Sequence, residues 1–462
     1  MSPGQLNLHT MGVIDDVDVK YDYSYFTKFI KRNTHFAKEY RNIKYMDERS
    51  EAAQKVEMLD FGSICEFRIP MNNGDLLKSV CLEVKTTELE ELNHSYIDSF
   101  GNALIEYAEL IIGGKVINRL TSDYLQLYSE AFHDSSKDSA FKNLINKSEG
   151  SVLGQPWRGV NYYQVKNVYK LHCIIDLPFY FHKHPELALP LCAIKLQDVT
   201  IRIKLRDYTE LVFLATNTQS PSGTNVMSSL AAPVNEFIYG PPKIIKCDLI
   251  TELVYLNTIE RKKIECSKID YVITELQEEQ FRTQDAQTNT VKCKLNFSNP
   301  VKELYFFIQR DRQEHRDIGV FTSPLNYDPI KYAFFDEDAG FGGLIAPDQL
   351  KYLTLKLDNF EIIDKNTGDA QFLRTSQFMR YHSSSPRLSR VYIYSFANNP
   401  EVWYPTGQEN FSLIKEQILE IELYNSELLA NNVSLYFNRN IRVYAKSYNI
   451  LRVKDGKAHT IF

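Results

Sequence analysis

From Val199 to Arg206 the chain alternates without a break, with Val199, Ile201, Ile203 and Leu205 on one side and Thr200, Arg202, Lys204 and Arg206 on the other. A period of two is that of a strand with one face on a core. Ile194 and Leu196 alternate in the opposite phase, so a bulge or bend is expected across Gln197–Asp198 to keep both halves facing one core. An aromatic run ending at Phe181 and a break at Pro185 precede this stretch. The same alternation appears earlier, in Cys65, Phe67 and Ile69, and again in Val80, Leu82 and Val84. The turn residues Asn72-Asn73-Gly74-Asp75 lie between those two runs and predict an antiparallel pair. Ala103–Ile112 reads as a strongly apolar strand, Gly113-Gly114 as a tight turn and Lys115–Leu120 as the returning strand. Thr121 or Ser122 then caps a helix with Tyr124, Leu125, Tyr128 and Phe132 on one face. His133–Tyr162 is polar and aperiodic, as a long surface loop would be, and Val165–Ile175 leads back to the aromatic run.

Asn217–Gly223 and Gly240-Pro241-Pro242 punctuate the chain more heavily than any other stretch. They divide it into an arm at 1–24, a first domain at 25–206, a connector at 207–243 and a second domain at 244–462. The second half restarts the pattern: Cys247–Leu256 is extended, Asn257 and Glu260 suggest a capping box over a short helix, and Ile269–Gln277 is the next strand. Asn299–Ile308, the alternating Val433, Leu435 and Phe437, and Ile441–Gly456 complete the extended runs. The length of 462 residues allows about three average domains or two large sandwiches. Aromatics at 13%, with 29 Tyr and 27 Phe, favour strands.

A net charge of −6 without a Lys/Arg block argues against a general nucleic-acid binder. The seven cysteines never form C-x-x-C, which argues against a zinc site or a disulfide framework and suits a reducing compartment. No apolar run reaches the ~18 residues of a membrane span, and the first residues lack a signal-peptide core.

Several segments resemble, in order, the major capsid proteins of the nucleocytoplasmic large DNA viruses. In Tyr25–Tyr40 the matching residues are Phe26, Lys28, Arg32, Thr34, Phe36 and Ala37. The Ile112-Gly113-Gly114 hairpin with its aromatic helix follows, then LPFYF and LALPL within Leu177–Arg206. Tyr255, Leu256, Glu260, Arg261, Ile273, Glu275 and Gln277 carry the next match, and PVKEL within Asn299–Ile308 another. The most specific block is Arg390–Ser412, with YIYSFANNPE and PTGQENFS, and YAKSYNILRVKDG ends the series. The resemblance implies an all-β fold of two consecutive eight-stranded antiparallel jelly rolls with short helices in loops. It implies a structural protein of the virion, not an enzyme: three chains form a pseudo-hexameric capsomer, and homotrimers tile an icosahedral capsid. Partners would be neighbouring trimers, minor capsid and penton proteins and, indirectly, an inner membrane, with no direct nucleic acid and no cofactor. Assembly would take place in the host cytoplasm.

Two other classes share the jelly-roll fold. A carbohydrate-binding jelly-roll module would use exposed aromatics, and Trp157 and Trp403 are the two tryptophans, the second inside a capsid-like block. A cupin-like metalloenzyme would use His182-x-His184-x-Glu186, but the spacing is too short, a second His motif is lacking and Pro185 breaks the strand. Asp336-x-Asp338-x-Gly340 and Asp364-x-Asn366-x-Gly368 resemble calcium loops only in part and read as solvated turns, as Glu278-Glu279 reads as a solvated face. No P-loop, H-E-x-x-H or G-x-S-x-G occurs, so no metal and no catalytic residue is assigned. Of the sequons at Asn93, Asn146, Asn296, Asn410 and Asn432, Asn146 in the polar loop is the candidate for surface glycosylation.

Overall fold

The computed structural model describes residues 36–45, 58–71, 74–87, 94–96, 99–132, 135–146, 171–219, 225–231, 241–284, 288–310, 350–385, 391–424, 428–430, 433–435 and 438–462. The first half builds strands β1 (Phe36–Lys44), β2 (Ile64–Ile69), β3 (Leu76–Thr86), β4 (Ile105–Ile112), β5 (Lys115–Thr121), β6 (His172–Asp176), β7 (Val199–Leu205) and β8 (Ile244–Leu256). They form two antiparallel sheets in the orders β1-β8-β3-β6 and β2-β7-β4-β5. Alternation explains how the sheets meet. In one, Phe67, Ile201 and Leu110 stand in a row across β2, β7 and β4, flanked by Cys65, Ile203 and Ala108. In the other, Leu249, Leu82 and Ile175 form the corresponding row. All nine of these residues are fully or almost fully buried in one core.

The second half repeats the plan. Its strands are β9 (Ile269–Arg282), β10 (Thr290–Lys294), β11 (Pro300–Arg310), β12 (Leu350–Leu357), β13 (Phe360–Ile363), β14 (Val391–Ser395), β15 (Gln417–Leu423) and β16 (Arg439–Lys454). The sheet orders are β9-β16-β11-β14 and β10-β15-β12-β13. Counted within each half, both rolls therefore follow the order 1-8-3-6 and 2-7-4-5. Two different sequences have arrived at one topology, that of a jelly roll.

Several expectations are corrected. Ile244–Leu256, expected to open the second domain, is the last strand of the first roll and lies between β1 and β3. Gly and Pro mark where a loop runs, but not which sheet the next strand joins. The described parts of 207–243 include a short helical turn, Tyr208–Glu210, and a hairpin, Val212–Gln219 against Asn225–Ala231, and are not a plain connector. Helix Thr258–Cys266 makes the passage between rolls; its cap Asn257 is extended but forms no side-chain capping bond. β2 and β3 belong to different sheets and do not form the expected antiparallel pair. The expected strand at Ile194–Leu196 is instead a series of short turns, because Pro185 and Pro190 lack ladder donors. Ile194 is buried there and Leu196 is exposed.

The apolar run beginning at Ala103 starts as the short helix Phe100–Leu104, and the polar loop carries a helix at Asp138–Ile145. Phe36 and Tyr40 are exposed on β1. Val433–Leu435 is a short strand paired with Leu428–Ala430. The arm at 1–24, Trp157, Asn93, Asn432 and Asp336–Gly340 lie outside the described residues.

Candidate functional site

In the sheet β9-β16-β11-β14, strand β11 is buried on both faces. Along β11, Leu304, Phe306 and Ile308 enter the core of the second roll, while the intervening Tyr305 and Phe307 join the core of the first. Tyr444 on β16 and Ile393 on β14 share the face of Tyr305, their cross-strand partner. A strand buried on both sides needs a continuous apolar run, and LYFFI is one. The element it receives is helix α1 (Ser122–Ala131), which follows the Gly113-Gly114 hairpin. Thr121 caps it as expected, its hydroxyl accepting from the Tyr124 N–H at 3.4 Å. The ring centroids of Tyr124 and Tyr305 are 6.2 Å apart across the seam.

Polar contacts fix this docking. Asp123 is fully buried and pairs with the Arg442 guanidinium; it also accepts from the Tyr444 hydroxyl at 2.9 Å. Tyr444 in turn accepts from Thr121 at 3.2 Å, and burial, then the Asp123 charge, pushes its phenol well above the ordinary range. Asn118 donates to the Thr274 carbonyl at 2.8 Å. At the far end the Leu196 N–H donates to Gly456 O at 3.0 Å, and Gln197 accepts from the Ala458 N–H at 2.6 Å. These contacts make one rigid block of the two rolls.

A second buried cluster lies nearby. Glu303 and His382 are both fully buried, with Oε1 to Nε2 at 2.9 Å, and the Tyr305 hydroxyl donates to Glu303 at 2.7 Å. Burial alone would depress the imidazole, but Glu303 and then Glu401 outweigh it and hold His382 up at about 9. Sequence reasoning missed this cluster and the Asp123 group, whose partners are far apart in the chain. A signal was available in Lys302-Glu303 and Asp123, charges set beside residues that the pattern buries.

Of the residues singled out from sequence, His182, His184 and Trp403 line one cavity at the seam, and the others are scattered. His182 and His184 lie in the turn between β6 and the helical turn Pro185–Leu187, with His182 Nε2 3.9 Å from Asp176 Oδ2. Burial lowers both imidazoles. Among the described residues no group of three or more His, Cys, Asp or Glu side chains is arranged to hold a metal. Glu278 and Glu279 stand on β9, and Trp403 is partly exposed against Tyr404. Asn146 ends the helix Asp138–Ile145 in the left-handed region at φ 53°, half-buried. Asp364 caps its own turn, accepting from the Thr367 N–H at 2.8 Å and hydroxyl at 2.6 Å. Gly368 closes that turn so tightly that a β-carbon there would lie 1.7 Å from Leu353 O. Gly368→Ala is therefore expected to cost about 3 kcal/mol, at the upper end of ordinary single substitutions, read as a lowered midpoint in urea unfolding.

Two like-ordered jelly rolls fused through a shared sheet define the double jelly-roll class of capsid proteins. The fold of the chain matches the Paramecium bursaria Chlorella virus 1 capsid protein with a TM-score of 0.70 at 19% identity, covering 95% of this chain and 100% of that one. It matches the Faustovirus major capsid protein at 0.67 and 12% identity, covering 96% and 95%. The family described as large eukaryotic DNA virus major capsid protein matches residues 260–459, and the major capsid protein N-terminus matches residues 24–237. The major capsid protein of Pyramimonas orientalis virus is 24% identical, with 83% of this chain and 82% of that protein covered. That of Rana tigrina ranavirus is 22% identical, with 92% and 91% covered. The chain belongs to the major capsid proteins of the large eukaryotic DNA viruses and is a structural component of the virion shell.

Proposed function

We propose that the protein acts as a homotrimer, each chain giving two lobes, so that three chains present six jelly rolls around a pseudo-sixfold outline. The observation that carries this reading is the repeated strand order in two rolls held as one block by a sheet whose strand β11 feeds both cores. Such trimers tile an icosahedral capsid through near-equivalent side contacts, with trimer interfaces larger than those between trimers. Neighbouring trimers, minor capsid proteins and penton proteins are the partners, and an inner membrane is reached only indirectly. The chain carries out no catalysis, binds no nucleic acid directly, and is assembled in the host cytoplasm. Asn146, at a helix end, is the candidate for a surface sugar.

The test is the native mass of the purified protein by light scattering, followed by negative-stain imaging of the main peak. A trimer of hexagonal outline is expected. A monomer that binds glycans would favour a carbohydrate-binding module, and a monomer with stoichiometric metal would return attention to His182 and His184.

A further inference from the structure

A cavity of about 130 Å³ lies at the seam, where the loop after β6 meets the Pro400–Trp403 loop and the end of helix α1. Its wall carries three lysines, Lys183, Lys302 and Lys446, and one carboxylate, Glu401. None of the three lysines takes part in an ion pair among the described residues; each is held by carbonyls, a hydroxyl or ring faces. Lys302 is 2% exposed, donates one hydrogen bond to Pro400 O at 2.8 Å and lies 5.3 Å from the Tyr448 ring centroid. Half-buried Lys446 stands 4.5 Å from the Phe132 ring centroid. Lys183, exposed at the mouth, donates to Phe132 O and lies 5.1 Å from the Tyr128 ring centroid.

The nearby carboxylates are already engaged. Glu401 accepts from the Ser383 N–H at 2.8 Å and lies 3.5 Å from His382 Nδ1. Glu303, behind the wall, is held by His382 and Tyr305. An ammonium has three donors, so Lys302 keeps two beyond its bond to Pro400. Buried positive charge without a paired anion is costly, and the cavity has room for several waters or one small anion.

We propose that this cavity binds a small oxyanion of the phosphate class, held by Lys302 and Lys446 inside and Lys183 at the mouth. A tetrahedral oxyanion offers acceptors in several directions, which suits ammonium groups arriving from both rolls. The ring faces of Tyr128 and Phe132 keep water from the same charges. The ionisation of Lys302 agrees: burial and then the Lys446 charge push it down to about 7, and an anion beside it would restore its proton. Bound there, the anion touches side chains of both rolls at once.

The experiment follows thermal melting of the full chain in rising inorganic phosphate, against sodium chloride at equal ionic strength. Wild type is expected to gain several degrees along a saturating curve in phosphate, with no such curve in chloride. Lys302→Met should abolish the response, and Lys183→Met should raise the half-saturating concentration several-fold. Lys183 is exposed and outside the core, so that variant remains informative even where Lys302→Met does not fold. Phosphate acting no better than chloride would overturn the proposal, as would variants that respond like wild type.

Discussion

Replacing Glu303 by alanine is expected to cost about 3–5 kcal/mol, the usual effect of stripping one partner from a buried ion pair. The change leaves His382 in a fully buried site with its strongest counter-charge gone and deprives the Tyr305 hydroxyl of its acceptor. The loss should depend on pH. His382 rises from an ordinary 6.5 to about 9 on folding, so the native state binds the proton more tightly than the unfolded chain. The stability from this pair is fully present below pH 6.5 and is lost as pH rises through 9. Urea unfolding of wild type should weaken across that window, whereas Glu303→Ala should be nearly flat there. Equal slopes in the two proteins would show that the pair does not titrate as described.

Phe306→Ala and Phe307→Ala should each cost about 3–5 kcal/mol through the cavity left behind, yet they should fail in different ways. Phe306 empties the core of the second roll, while Phe307 empties the seam, where its ring meets Tyr444 edge-on at 5.2 Å. Calorimetry should show one cooperative transition for wild type and a lowered single transition for Phe306→Ala. Phe307→Ala should split or broaden the transition, because the first roll loses its grip on the shared sheet. A sharp single peak for Phe307→Ala would mean that the seam does not couple the two rolls.

Much of this fold is legible in sequence because alternation is local. Val199–Leu205, Cys65–Ile69 and Val80–Val84 fall in strands with the expected residues buried. The hairpin at Gly113-Gly114 and the helix after it also follow from turn chemistry and a cap. Pairing is a different matter. Ile244–Leu256 reads equally well as a first or a last strand, and only contacts with Phe36–Lys44 and Leu76–Thr86 decide between them. The turn at Asn72–Asp75 looks like that of a hairpin because turn residues report a change of direction and nothing about the neighbour. The Leu189–Leu196 stretch misleads in the other direction: apolar spacing is kept, but prolines remove the ladder, and short turns bury Leu189, Leu191 and Ile194 while Leu196 stays exposed. The buried clusters stay hidden because Asp123 and Arg442 become neighbours only once both rolls have formed, and Glu303 and His382, 79 residues apart, only once the second has.

The place of β8 between β1 and β3 also sets a timetable. A nascent chain emerges in order, so β1 and β3 wait with nothing between them until Ile244–Leu256 leaves the ribosome. The second roll repeats the delay, its slot between β9 and β11 staying open until Arg439–Lys454 arrives. Each slot leaves unpaired strand edges for as long as synthesis takes to cross the intervening strands and loops, and such edges pair with whatever strand is at hand. The topology that gives the finished block its closed sheets thus leaves the growing chain open twice, each time at the middle of a wall.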